Sequence, residues 1–354
     1  MLAKKNLKGY ALCMLQDPVE PNLIFVGTEH GLWISYNNGK SFEQYTNGFP
    51  SVSTYDMTMQ EREADLVIAT FGRALWVMDD VRPLRAIAKE GGLVSSKKIR
   101  VYEPPIAYQA EYRTATGYEW STWGLYEGEN RKRGAMISFM YQGADTLKQQ
   151  KGDSVNIHFY NAANEPLRTL RIKAEKGLNR IYWNFDTKGS RQPGRPKPEQ
   201  GSAEQGGGYP VAPGTYKVVV KKGNEADSIQ LEVKADPRIP FYPDVYESKK
   251  KLTERLQGSV DLLTTSLDRV ADAEETIGKI ENSLKGNNGK EVDSLRKACA
   301  TIKKTIKYLK EPILGRSSEK QKTCRNHSDG IVQRVTMPFT LFYRQVRHWF
   351  FSFL

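Results

Sequence analysis

Three cysteines and four histidines are all that the 354 residues contain, and each shortage removes a class of chemistry. Cys13, Cys299 and Cys324 are odd in number and scattered, without metal-ligand spacing, so neither a disulfide framework nor a zinc site is indicated. His30, His158, His327 and His348 have no Ser, Cys or carboxylate neighbour at motif spacing, which leaves a nucleophilic triad or a metal site without support. No motif calls for a cofactor. Hydrophobic residues make up 39% of the chain, enough for cores but too little for a membrane protein. The start, Met1-Leu2-Ala3-Lys4-Lys5, has no apolar h-region behind it, because Asn6, Lys8 and Gly9 interrupt it, so the chain as written carries no signal peptide. The aromatic end, Met337 to Leu354, contains Arg344 and Arg347 and is shorter than a bilayer requires, which argues against a membrane span.

Charge of one sign is also unevenly supplied. The formal net charge is +12, yet residues 1–90 hold 9 basic and 11 acidic side chains, residues 91–240 hold 23 and 16, and residues 241–354 hold 21 and 14. The basic excess therefore lies beyond the first ninety residues. Its lysines are interspersed with acids and no nucleic-acid motif accompanies them, so nucleic acid is not an expected partner.

What is present is a succession of short β-prone runs. Tyr10 to Leu15, Leu23 to Thr28, Gly31 to Ser35 and Phe42 to Tyr45 form one set; Thr54 to Met59, Leu66 to Thr70 and Ala74 to Met78 form a second. The sets align: Asn22 to Thr28 parallels Ala64 to Thr70, and Gly31-Leu32-Trp33-Ile34 parallels the run ending Leu75-Trp76-Val77. The period is roughly forty residues, that of propeller blades. Between two strands of the first set stands the polar turn Ser35-Tyr36-Asn37-Asn38-Gly39-Lys40-Ser41-Phe42. Short polar side chains at Ser35 and Asn37 can bond turn amides, Gly39 permits positive φ, and Phe42 can pack back beneath the hairpin.

That turn, with Ser35, Asn37, Gly39, Ser41 and Phe42 in place, resembles the Asp-box of BNR-repeat propellers, and Asn37 stands where the family usually has Asp. The segments Val26 to Leu32 and Thr70 to Asp80 look like the last blades of bacterial BNR-repeat, sortilin-like propeller proteins, many labelled glycosyl hydrolases. The resemblance implies the C-terminal part of a larger protein, a periplasmic or secreted location for the parent family, and blade faces left uncovered where about two blades stand alone. It also brings two functional expectations: a binding or scaffold role toward glycan or protein ligands, or a glycoside hydrolase whose catalytic blades lie upstream. The doublet Asp79-Asp80 cannot flank one glycosidic bond, because neighbours in a strand point to opposite faces; turn formation and pairing with Arg82 or Arg85 is the simpler role. Arg73 can serve its turn or reach a ligand at the blade end.

Residues 91–132 read as an aromatic connector, in which Tyr118, Trp120, Trp123 and Tyr126 either stack on sugar rings or seal an interface. Residues 133–240 return to a period of two in six strands, Ala135 to Tyr141, Ser154 to Tyr160, Pro166 to Ile172, Gly177 to Asp186, Gly214 to Val220 and Ser228 to Lys234, and fit an Ig- or fibronectin-like sandwich, with Trp183 in its core and a Gly-, Pro- and Gln-rich insert at 188–208 expected to be mobile. From residue 241 the pattern changes to helix. Leu256, Val260, Leu263, Leu267, Val270, Ile277, Ile280 and Leu284 form one stripe, and Val292, Leu295, Cys299, Ile302, Ile306 and Leu309 a second. The turn Gly286-Asn287-Asn288-Gly289 joins them into a helical hairpin over 241–312. Its remaining apolar area calls for the sandwich or another chain, hence possible self-association, and an irregular tail follows from 313. The expected class is mainly β with a C-terminal α hairpin: a partial β-propeller, a sandwich and two helices.

Overall fold

The computed structural model describes residues 7–92, 98–110, 131–143, 154–198, 204 and 207–314. It is mainly β with two long C-terminal helices and divides into two compact units, one formed by 1–187 with 210–242, the other by 188–209 with 243–354. Four antiparallel strands open the first unit: β1 (Ala11–Gln16), β2 (Ile24–Thr28), β3 (Gly31–Ser35) and β4 (Glu43–Tyr45), in sequence order. A second meander follows, with β5 (Thr54–Gln60), β6 (Asp65–Thr70) and β7 (Leu75–Met78). Phe25, Leu32 and Ile34 of the first sheet share one core with Met57, Leu66 and Ile68 of the second, and Trp76 and Met78 pack against it. Strands β1 and β2 approach β5 so closely that a Cβ at Gly27 would lie 2.6 Å from the Thr54 carbonyl oxygen, which explains the glycine there.

Helix α1 (Arg82–Lys89) then covers the same core with Leu84, Ile87 and Ala88. This helix is absent from the sequence reading. Its first capping residue is Val81, without a side-chain cap bond, so the usual Ser/Thr/Asp/Asn start signal is missing.

The remaining strands of the unit build two sheets around one core. β8 (Ile99–Val101), β10 (Ala135–Tyr141) and β13 (Gly177–Trp183) form one, in the order β13-β10-β8; β9 (Ala107–Tyr108), β11 (Ser154–Tyr160), β12 (Pro166–Lys173), β14 (Gly214–Lys222) and β15 (Glu225–Lys234) form the other, in the order β12-β11-β14-β15-β9. Trp183 is fully buried and stacks on Phe159 at 4.5 Å, with Tyr216 edge-on at 5.4 Å. β8 and β9 are short strands inside the segment read as a connector. β8 is held antiparallel to β10 and β9 parallel to β15, and Tyr102, just after β8, is buried with the first two sheets. Every residue of β10 is buried. Ile137, Phe139 and Tyr141 enter the core shared by these two sheets, while Met140 joins the core of the first two, so β10 serves both.

The second unit holds α2 (Pro243–Ser283) and α3 (Lys290–Leu314). Both stripes take helical form, and α3 continues through Pro312, where the sequence suggests a stop, to Leu314. Ion pairs Glu274–Lys310 and Glu281–Lys303 cross between the helices. The segment expected to be a mobile insert lies with these helices. Arg191 pairs with Asp268, Lys197 with Asp272 at 2.9 Å, and the Thr264 hydroxyl donates to the Arg191 carbonyl at 2.9 Å. Complementary charge supplies this attachment where the insert has little apolar surface to bury. Among the described residues no helix is long and apolar enough to cross a membrane.

Candidate functional site

The side chains of the turn at Ser35 to Phe42 bond within it, while the Asn38 amide donates to the Asn22 carbonyl at 2.9 Å. Ser35 is buried, and its Oγ accepts from the Gly39 amide at 2.9 Å; the Asn37 Oδ1 accepts from the Ser41 amide at 2.9 Å, and the Asn37 Nδ2 donates to the Ser41 Oγ at 2.8 Å. Asn38 and Gly39 take positive φ, 55° and 78°, as the tight reversal requires. Phe42 folds under the hairpin into a cluster with Ile24, Val26 and Trp33. Each polar side chain of this network faces another group of the same turn, an arrangement that fastens a hairpin.

A denser set of charges gathers where β7 ends. Asp79 and Asp80 follow the strand, and Asp80 adopts φ 50°, a left-handed conformation that Asp tolerates better than most residues. The Asp80 amide donates to the Asp65 Oδ1 at 2.8 Å. Its buried carboxylate accepts from Arg82 at 2.7 Å through Oδ1, and Oδ2 has no hydrogen-bond partner among the described residues. Arg180, reaching over from β13, donates to the Asp79 carbonyl at 2.7 Å, to the Asp80 carbonyl at 3.0 Å and to the buried Ser138 hydroxyl at 3.2 Å. Arg131 lies 3.4 Å from Glu63 and 4.0 Å from Asp65.

Burial raises the Asp80 carboxyl above its ordinary value, against the pull of Arg82 and Arg180. Asp79 is raised by burial and by the like charge of Asp65, with Arg131 and Arg180 opposing. Burial also raises the Tyr182 phenol. The two carboxylates of the doublet therefore face different partners: Asp80 is locked to Arg82, while Asp79 lies among the charges of Asp65, Arg131 and Arg180. Arg85, the other expected partner, instead makes a buried pair with Asp17, both carboxylate oxygens lying 3.0 Å from its Nε.

Arg73 stands at the opposite end of β7. Its carbonyl accepts from the Trp76 indole at 2.9 Å, and its side chain is exposed. Five residues separate it from Asp79, the last four of them the strand itself, about 13 Å of extended chain, so these two candidates do not converge. What does lie beside Arg73 is Phe71, whose ring meets Tyr55 at 5.9 Å and 46°. Tyr118, Trp120, Trp123 and Tyr126 lie outside the described residues.

Arg180, Arg131, Asp65, Tyr55 and Phe71 are not among the site residues that the sequence suggests. Arg180 is 100 residues from Asp80 and had no local signal; Phe71 was legible as an aromatic in the Phe71-Gly72-Arg73 turn. Among the described residues no group of three His, Cys, Asp or Glu side chains is placed to hold a metal ion. Comparison of the chain with protein-family models, curated proteins and solved structures returned no match.

Proposed function

We propose that this chain is a binding or scaffold protein, in which two blades of the BNR-repeat propeller kind are carried with an Ig-like sandwich, acting toward glycan or protein ligands. The observation that supports this reading is an open apolar face on the second sheet. Tyr55, Phe71, Leu75 and Val77 are 56, 73, 69 and 57% exposed. By the repeat alignment Leu75 and Val77 correspond to Leu32 and Ile34, which are buried between the two sheets. The same strand positions are therefore covered in one copy of the repeat and bare in the next. A contiguous apolar face of this kind marks an interaction site, and the tilted Tyr55–Phe71 pair beside Arg73 offers ring faces with a charged edge, suited to a sugar ring or a partner's side chain.

The acidic groups support the same reading. Asp80 is committed to Arg82, the backbone of the doublet to Arg180, and Arg73 is a strand's length away, an arrangement unlike two carboxyl groups facing each other across a glycosidic bond. The test has two arms. The full chain is incubated with a panel of aryl-glycosides and screened against immobilised glycans and candidate proteins. No hydrolysis, with ligand capture that Phe71→Ala and Leu75→Ser abolish without loss of fold, is the expected result. Hydrolysis that disappears in Arg73→Ala or Asp80→Asn overturns the proposal in favour of a glycoside hydrolase.

A further inference from the structure

Strands β11, β12 and β14 lie side by side in the five-stranded sheet and contain no acidic residue, against six basic ones. Two of the six are committed: Arg168 pairs with Asp186, and the Lys222 ammonium donates to the Tyr141 hydroxyl. The other four share one face. Val155, Ile157 and Phe159 of β11 and Val218 and Val220 of β14 enter the core, so alternation turns their strand neighbours outward. The register sets those neighbours in rows. Arg171 of β12, Asn156 of β11 and Lys221 of β14 stand abreast, and two residues further along Lys173 pairs with Ser154. In the opposite direction Lys217 stands across from Tyr160. Between these rows His158 and Thr169 are bonded at 3.0 Å, and the His158 ring lies 6.3 Å from that of Tyr160.

Arg171, Lys173, Lys217 and Lys221 are exposed, and none has an acidic partner among the described residues. The acids of the next strand, β15, are engaged elsewhere. Glu225 pairs with Lys98 at 3.7 Å, Asp227 accepts from the Val101 amide at 2.9 Å, and Glu232 lies 3.3 Å from Lys234. Glu165 and Glu175 stand in the turns at either end of β12. Like charges gathered on one face of a sheet repel one another, a cost that an oppositely charged ligand removes.

We propose that this face binds an acidic polysaccharide, a chain of sugars with carboxylate or sulfate groups along its length. The site lies on a different sheet from the apolar face of β7 and does not rest on it. Charge selects an anion, and extent selects a polymer. From the Lys173 row to the Lys217 row the cations spread over six residue steps, about 20 Å, a span that repeated charges can follow and one small anion cannot. The groups between the cations select sugar. Asn156 and Thr169 offer amide and hydroxyl partners for sugar hydroxyls, the Tyr160 ring offers a stacking face, and the Arg171 Nε donates to the Ser154 Oγ at 2.5 Å, which holds the guanidinium along the sheet. A single-stranded nucleic acid calls for ring faces in succession beneath its bases, and a membrane surface calls for apolar side chains to bury. This face has one ring pair and Val219.

The test is isothermal titration of the full chain with polygalacturonate, chondroitin sulfate, uncharged dextran and an oligo(dT) single strand. Binding of polygalacturonate or chondroitin sulfate, weakened by salt, with none of dextran, is the expected result; which of the two binds tells carboxylate from sulfate. Lys217→Gln combined with Lys221→Gln is expected to weaken binding roughly tenfold, because two exposed charge contacts are lost. Tyr160→Ala is expected to weaken it while leaving the salt dependence unchanged. Circular dichroism checks that each variant keeps its fold. Lys297→Gln combined with Lys304→Gln removes the same charge from exposed positions of α3 and is expected to leave binding as it was. Failure to bind either acidic polysaccharide overturns the proposal. So does binding that the Lys217 and Lys221 changes leave intact, or that both double variants weaken equally, which assigns it to net charge alone. Tighter binding of oligo(dT) than of either polysaccharide overturns it in favour of a nucleic acid.

Discussion

Asp17 and Arg85 are 68 residues apart and meet where β1 ends and α1 passes. The Asp17 side chain is 0% exposed and that of Arg85 15%. Asp17 also accepts from the amides of Val19 and Glu20, at 2.9 and 2.8 Å. Asp17→Asn keeps an acceptor for those amides and removes only the charge, leaving a guanidinium almost out of reach of water. Breaking a buried pair in this way costs about 3 kcal/mol. Arg85→Met strands the carboxylate, with the same expected cost of about 3 kcal/mol. The double variant Asp17→Asn, Arg85→Met leaves no unpaired charge, so it is expected to cost no more than either single change, a coupling of about 3 kcal/mol. With a urea slope of about 2.5 kcal/mol/M for a unit of this size, each single variant moves the unfolding midpoint down by roughly 1.2 M. Urea titration of the four proteins measures the cycle. Strict additivity, or single losses below about 1 kcal/mol, refutes the claim that this pair ties the first sheet to α1.

Other expectations follow from the same contacts. Asp79 has a raised pKa in the folded chain, so the folded state binds more protons than the unfolded state and this group's contribution falls as pH rises above 3.8. Asp79→Asn is accordingly expected to be more stable than wild type at pH 7, with the advantage vanishing below pH 3.8; a fixed difference across a pH series of thermal melts contradicts this. Asn37→Ala removes the bonds that close the Ser35 to Phe42 turn and is expected to cost about 1 to 2 kcal/mol, whereas Asn37→Asp keeps the acceptor and costs under about 0.5 kcal/mol, both read by denaturant titration. Asp268→Ala releases Arg191, and tryptic cleavage after Arg191 is expected to accelerate several-fold; an unchanged rate means that the insert is held by other contacts.

The strands were legible where alternation was clear. Ala135–Tyr141 and Ser154–Tyr160 have the bounds that their period of two suggests, and Gly31–Ser35 ends where its polar turn begins. Elements without a local signature were not legible. α1 has eight residues, Pro at its start and no capping side chain, while β8 and β9 are strands only because β10 and β15 offer them partners. The charge cluster was half visible, as the doublet Asp79-Asp80. Arg180 approaches from a strand a hundred residues later, and nothing in its own neighbourhood announces that its donors go to two carbonyls. The attachment of Arg191 and Lys197 had a faint trace in Asp268 and Asp272, one turn apart on α2. An insert of Gly, Pro and Gln gave no reason to match them.

The position of β10 as a wall between two cores has a temporal meaning. The first two sheets and α1 are complete by residue 89, yet their core includes Tyr102 and Met140. During synthesis, at about 5 to 20 residues per second, the fifty further residues to Met140 take roughly 3 to 10 s. For that interval the nascent chain presents an apolar surface that its own sequence has not yet delivered the means to cover. Chaperone occupancy on the ribosome should therefore peak after the first ninety residues emerge and fall once β10 is out.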